Sequence, residues 1–188
     1  MIVSEAKEHK TLTNTLVIAT PDLSRELELD LSMEDTFSLN EAIESFLRWD
    51  EYREAHPEQP LSPVPGEHYE ILCWDGIPYH SMDLDEIVEQ QYLMEVEGLP
   101  PTLVGELVQD HGDLARKYHQ DHFHGCYEEH SMGSRGRAAF WQNYIEETEG
   151  KLSGWLAQHI DWDSVADEVE ADYNCISDGA GTTYVYRS

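Results

Sequence analysis

Between Phe140 and Tyr173 the chain reads FWQNYIEETEGKLSGWLAQHIDWDSVADEVEADY, an apolar helical pattern threaded with carboxylates. Trp162, Val165, Ala166, Val169 and Tyr173 recur at i, i+3, i+4, i+7 and i+11, the spacing of one buried helical stripe. Asp163, Asp167 and Glu170 fall on the opposite face. Asp161 stands at the N-cap, where a carboxylate accepts free backbone N–H groups and complements the helix dipole. Upstream, Phe140, Trp141, Tyr144 and Ile145 define a second helix with Gly150 as its stop. Glu146, Glu147 and Glu149 crowd the end of that helix, where negative charge opposes the dipole by about 0.3–1 kcal/mol per group. Folding alone does not select three glutamates there.

The imbalance runs through the whole chain: 39 Asp and Glu against 11 Lys and Arg, a formal net charge of −28. Disorder normally pairs such charge with few aromatics. Here five Trp, ten Tyr and four Phe are spread along 188 residues, and a 40% hydrophobic content supplies a core. Such a charge works against compaction through self-repulsion, excludes DNA, RNA and anionic membrane as direct partners by like-charge repulsion, and invites a basic protein. Duplex DNA carries one charge per ~1.7 Å of axis, so −28 at that density spans roughly 48 Å, about fourteen base pairs. The competing reading is a merely acidic, well-solvated surface. No apolar run reaches 18 residues and the start of the chain carries Glu5 and Glu8, so neither a membrane span nor a secretory signal is expected. Cys73, Cys126 and Cys175 are odd in number and widely spaced, which fits a reduced cytoplasm better than a disulfide framework.

Taken in order, residues 1–13 read as a polar arm and Leu16 to Ala19 as a short strand. From Arg25 to Leu31, Leu27, Leu29 and Leu31 alternate with Glu26, Glu28 and Asp30, the pattern of a strand with one wet, carboxylate-lined face. Ser38 and Glu41 form a capping box ahead of Leu39, Ala42, Ile43, Phe46 and Leu47. Pro57, Pro60, Pro63 and Pro65 impose a stiff connection. Tyr69 to Trp74 reads as a buried strand turned by Asp75 and Gly76. Asp83 and Glu86, with Asp85 between them, repeat the capping geometry before Leu84, Ile87 and Val88. Leu103, Val104, Leu107 and Val108 mark a further helix, and 113–122 a short one. The stretch from Gly133 to Arg137 reads as a flexible, locally basic loop. Cys175 and Ile176, then Thr182 to Tyr186, flank Asp178-Gly179 as a terminal hairpin.

These patterns predict an elongated α+β protein: an N-terminal α/β domain over 1–98, a middle helical segment over 99–137, and a C-terminal helical domain over 138–188 ending in the hairpin. The aromatics Phe140, Tyr144, Trp155 and Trp162 are expected in the core or at a subunit interface.

The order Phe123-x-Gly125-x-Tyr127, Phe140 to Tyr144 running into Glu146-Glu147-Thr148-x-Gly150, Ile160-Asp161-Trp162, Ala166-Asp167, Asp172-Tyr173 and Tyr184-Val185-Tyr186 resembles the ArdA-type antirestriction proteins, acidic DNA mimics carried by mobile elements. It covers about the last third of the chain. A weaker echo lies in Tyr69-x-Ile71 and Trp74-Asp75-Gly76 followed by an acidic helix. The resemblance implies a homodimer formed through the C-terminal domain, Type I restriction-modification enzymes as partners, and neither cofactor nor metal. The carboxylates expected to form the mimicking surface are Glu128, Glu129, Glu146, Glu147, Glu149, Asp161, Asp163, Asp167, Glu168, Glu170 and Asp172, with Glu26, Glu28, Asp30, Asp83, Asp85 and Glu86 from the first domain.

Other chemistries compete. His119, Asp121, His122, His124, Glu128 and His130 are dense enough for a His-and-carboxylate metal site, though no HExxH is present. The alternative makes them surface or packing histidines whose pKa values rise in an acidic field. Nucleophile and phosphate-loop motifs are absent, and with 39 acids no single pair stands out as a general acid and base. The sequence therefore points to a non-enzymatic inhibitor. An acidic adaptor or inhibitor binding one basic DNA-binding or CRISPR-type protein through a local patch is the second reading.

Overall fold

The computed structural model describes residues 15–31, 36–133 and 135–188, and the chain divides into two compact units between residues 96 and 97. The class is α+β. The arm expected over 1–13 and Ser134 lie outside the described residues.

In the first unit, β1 (Thr15–Ala19), β2 (Glu26–Asp30) and β3 (Glu70–Asp75) form an antiparallel sheet of order β2-β1-β3. Helices α1 (Thr36–Leu47), α2 (Trp49–Ala55) and α3 (Leu84–Glu95) complete it. Leu16, Ile18, Leu29, Leu31, Leu39, Ile43, Tyr69, Ile71 and Ile87 make the core, each worth about 1.5–3 kcal/mol of apolar burial for the larger side chains. The alternation in β2 holds: Glu26, Glu28 and Asp30 are exposed while Leu29 is buried. Helix α1 begins at Thr36, two residues before the expected Ser38 cap, so Ser38 lies inside the first turn. The strand expected to be buried, β3, is an edge strand with Leu72 and Cys73 exposed, because β1 takes the central place. At α3 the box is built through a third side chain. Asp83 accepts from the Asp85 N–H at 2.9 Å, while Glu86 receives the Ser81 hydroxyl, whose oxygen in turn accepts from the Asp83 N–H.

In the second unit, α4 (Pro101–His111) buries Leu103, Val104, Leu107 and Val108 as their spacing requires. A 3-10 turn and α5 (Ala115–His122) lead into β4 (Phe123–Glu128). Then come α6 (Arg137–Thr148), α7 (Gly154–Ala157), α8 (Trp162–Val169), a second 3-10 turn, β5 (Tyr173–Ser177) and β6 (Thr182–Arg187). The sheet order is β4-β6-β5, all antiparallel. The expected hairpin is β5–β6. Its loop is held by Asp178, which accepts from the Ala180 and Thr182 N–H groups at 2.8 and 2.9 Å. Because β4 pairs with β6, residues 99–137 and 138–188 share one folded unit and not two. Tyr173 leaves the helical stripe and starts β5, since α8 ends at Val169.

Gly125 is required by packing. A Cβ there would stand 2.8 Å from the Phe140 ring, so the Phe-x-Gly-x-Tyr pattern records where α6 presses on β4. Gly136 is tighter, with a Cβ falling 2.1 Å from the Ser131 carbonyl oxygen.

Candidate acidic interface

Helix α8 is amphipathic along its length. Ala166 is fully buried and Val165 and Val169 half-buried, while Asp161, Asp163, Asp167 and Glu168 are exposed, followed by exposed Asp172. Asp161 caps the helix, accepting from the Ser164 N–H at 3.3 Å and hydroxyl at 2.9 Å. These bonds hold its pKa below the usual carboxylate value, so its charge is secure at neutral pH. Gly150, with φ +97°, follows α6 as a left-handed stop, leaving Glu147 and Glu149 exposed at the helix end and Glu146 half-buried beside Gln142. No basic side chain lies in the last turn of α6 or α8. Glu129 is exposed and accepts the Thr183 hydroxyl, and Glu128 is half-buried. Asp83 and Asp85 of the first unit are exposed, whereas Glu86 is half-buried on Ser81.

Glu170 departs from the expected exposed face. Its carboxylate accepts from Arg137 at 2.6 and 2.8 Å, from the Trp141 indole at 2.7 Å and from the Tyr127 hydroxyl at 2.8 Å. Burial alone raises its pKa, but the bonds from Arg137, Trp141 and Tyr127 outweigh it and leave the group below its ordinary value. Arg137 is correspondingly part of the fold. It opens α6, reaches Asp167 at 2.7 Å, and corrects the reading of 133–137 as a free basic loop. The rest of that loop is also tied down, with the Glu128 N–H donating to the Arg135 carbonyl at 2.9 Å. Sequence spacing gave no sign of this, because Arg137 and Glu170 are 33 residues apart.

Several further arginines are committed to local contacts. Arg25 donates to the Phe46 carbonyl at 2.9 Å, Arg48 pairs with Glu51, and Arg135 pairs with Glu128 at 3.3 Å. Between β4 and α6 lies a groove of about 550 Å³, lined among others by His124, Tyr127, Glu128, Arg135, Phe140, Tyr144 and Glu147. It combines aromatic walls with carboxylates.

The histidines do not converge. Among the described residues no three His, Cys, Asp or Glu side chains form a set able to hold a metal ion. His119 is buried and shares a 2.9 Å hydrogen bond with the Tyr186 hydroxyl, His122 stacks on Tyr118, and His124 meets the Tyr144 ring edge-on. The expected rise in histidine pKa is reversed at two of them. Burial lowers His119, and burial with the Arg187 charge lowers His124. Phe140 and Tyr144 pack against the core of the second unit, and Trp162 is half-buried with its indole on the Ala157 carbonyl. Trp155 stands apart at 69% exposure beside exposed Leu156. Among the described residues no helix is long and apolar enough to cross a membrane. Comparison of the chain with known protein families, with curated proteins and with solved structures finds no match.

Proposed function

We propose that this chain is a DNA-mimic antirestriction protein that occupies the DNA groove of a Type I restriction-modification enzyme, or of a similarly basic DNA-binding protein, in the cytoplasm. A channel lined with Lys and Arg for one polyanion attracts another of similar charge spacing. Neighbours at i, i+3 and i+4 on a helix lie about 5–6 Å apart, of the order of adjacent phosphates. The mechanism is competitive exclusion, with no bond made or broken, and the working form is a homodimer.

The observation that carries this reading is the set of exposed acids kept where folding disfavours them. Glu147 and Glu149 sit at the C-terminal end of α6, Glu168 lies in the last turn of α8 and Asp172 in the 3-10 turn that follows it, with no basic residue in the last turn of either helix. The test is a charge reversal confined to exposed acids, Glu147, Glu149, Asp163, Glu168 and Asp172 to Lys, with Glu170 left intact. Single reversals leave inhibition nearly unchanged, and the multiple variant loses both inhibition and competition with duplex DNA. Inhibition at wild-type concentration by the multiple variant would end the proposal.

The groove between β4 and α6 favours a second reading, an acidic inhibitor or adaptor holding a single basic protein through a local patch. Breadth separates the two. A mimic competes on more than one DNA enzyme and weakens steeply with salt, whereas a patch binder has one partner and one sensitive surface.

A further inference from the structure

Three aromatic rings stand on the walls of the groove between β4 and α6, and each keeps part of its surface open. Phe140, Tyr144 and His124 all line it, and all three are half-buried. Phe140 and Tyr144 are i and i+4 on α6 and share one helix face, while His124 comes from β4 at the register shift beside Gly125. The His124 ring meets Tyr144 edge-on at 4.5 Å and 87°, and Phe140 at 6.2 Å and 83°. The Tyr144 hydroxyl is hydrogen-bonded to that of Tyr173, which fixes its ring. Burial, and then the Arg187 charge, lowers the His124 pKa, so that ring is a neutral wall at neutral pH and adds no cation.

Two carboxylates flank the rings. Glu147 is exposed, and its charge acts on His124. Glu128 keeps 47% of its side chain open and already meets a guanidinium from the chain itself. Arg135 reaches Glu128 Oε1 at 3.3 Å, a single contact with 78% of the arginine side chain exposed. Good charge-assisted bonds run at roughly 2.7–2.9 Å. Arg137, by contrast, is 28% exposed and bound at 2.6 and 2.7 Å to two acids. Arg135 thus lines the groove without being committed to it.

The chemistry of the lining selects among ligands. Anions meet two carboxylates on a chain of net charge −28, and among the described residues no three side chains are placed for a metal ion. An ammonium is a compact, strongly hydrated charge. A guanidinium is planar and weakly hydrated, so it stacks on aromatic rings while its edge donates to carboxylates.

We propose that this groove seats an arginine side chain of a basic partner protein, held by Glu147 and Glu128 among the three rings, and that Arg135 is a placeholder which the incoming arginine displaces from Glu128. The inference rests on the reading that the chain binds a basic protein, and it names the side chain which that protein presents.

The experiment is an NMR titration of the full chain, at physiological salt, with Nα-acetyl-arginine N-methylamide, its lysine counterpart and free L-arginine. Blocked arginine gives saturable shifts at the His124 ring and the Glu147 amide, with an upfield ring-current shift of its own δ-methylene protons. The lysine analogue binds about fivefold more weakly. Arg135→Ala tightens arginine binding about threefold, the size of one exposed ion pair, and Glu147→Gln weakens it by about the same factor. Glu106→Gln makes the same charge change at an exposed position of α4 outside the groove and leaves the affinity as it was. Equal affinity for arginine and lysine, equal losses in Glu147→Gln and Glu106→Gln, or no gain in Arg135→Ala would mean loose attraction of cations to an acidic chain, and each overturns the proposal. Tighter binding of free arginine than of the blocked form also overturns it, since the occupant is then a metabolite. The two readings fail separately. A groove indifferent to arginine leaves the charge-reversal test of inhibition untouched, and inhibition that survives the multiple reversal leaves the selectivity of the parent groove in place.

Discussion

The Glu170 carboxylate lies 2.6 Å from the Arg137 guanidinium, and through that pair the second 3-10 turn is fastened to the start of α6. Trp141 and Tyr127 donate to the same carboxylate, so one acid joins α6, β4 and the end of α8. Glu170→Ala leaves the guanidinium and two buried donors unserved and costs about 3 kcal/mol, read by urea denaturation. Glu170→Gln keeps an acceptor and costs less, about 2 kcal/mol. Because the native pKa is depressed, the stabilisation is complete above the ordinary value of 4.5 and is lost as pH falls below it. The Gln variant therefore shows a shallower acid limb than the parent.

His119 adds a second pH dependence at milder acidity. Its burial disfavours the imidazolium, so the unfolded chain binds the proton more readily than the native one. The contribution is whole above 6.5 and declines as pH falls from there toward the lowered native value. His119→Gln keeps a polar partner for Tyr186 and removes this slope. Denaturant midpoints of parent and variant, compared between pH 5 and pH 7.5, check it.

Gly136→Ala is expected to be worse than Gly125→Ala. The first drives a methyl into the Ser131 backbone oxygen, which has no rotamer to yield, while the second meets the edge of the Phe140 ring. Overpacking of the second kind costs about 1–3 kcal/mol. Phe140→Leu in the Gly125→Ala background recovers part of the loss, and Gly136→Ala has no such rescue. Thermal melts of the three variants measure the order.

Trp155→Ala leaves thermal stability within about 0.5 kcal/mol of the parent, because the ring is 69% exposed and its ring contact is with His159 on the surface. If the homodimer proposed above uses this ring, sedimentation shifts toward monomer in the variant at unchanged melting temperature. An unchanged mass removes Trp155 from the interface.

How much of this was legible follows the range of the interactions. Local periodicity reached α4, whose four expected apolar residues are all buried, the alternation of β2, the Asp161 and Asp83 caps, and the β5–β6 hairpin. It missed β4, where Phe123 and Cys126 are exposed and the strand exists because β6 offers a partner some sixty residues later. It missed α2, a run of charged residues held by the buried Trp49 and its 3.1 Å bond to the Leu61 carbonyl. Among the acids, sequence separated the exposed ones from the buried one poorly. Glu170 looks like Glu168 until Arg137 is brought against it from the other end of α6. Of the aromatics expected in the core or at an interface, Phe140 and Tyr144 pack against the core of the second unit. The same reasoning placed Trp155 in the core as one alternative, but α7 is too short to bury it.

The placement of β6 between β4 and β5 sets an order for biosynthesis. On the ribosome both outer strands emerge before the one that hydrogen-bonds to each of them. Until residues 182–187 clear the exit tunnel, β4 and β5 have no ladder to join, and the second unit waits as helices over an unformed sheet. Proteolysis of nascent or stalled chains should consequently fall on this unit, while the first, whose three strands are all made by residue 75, is already protected.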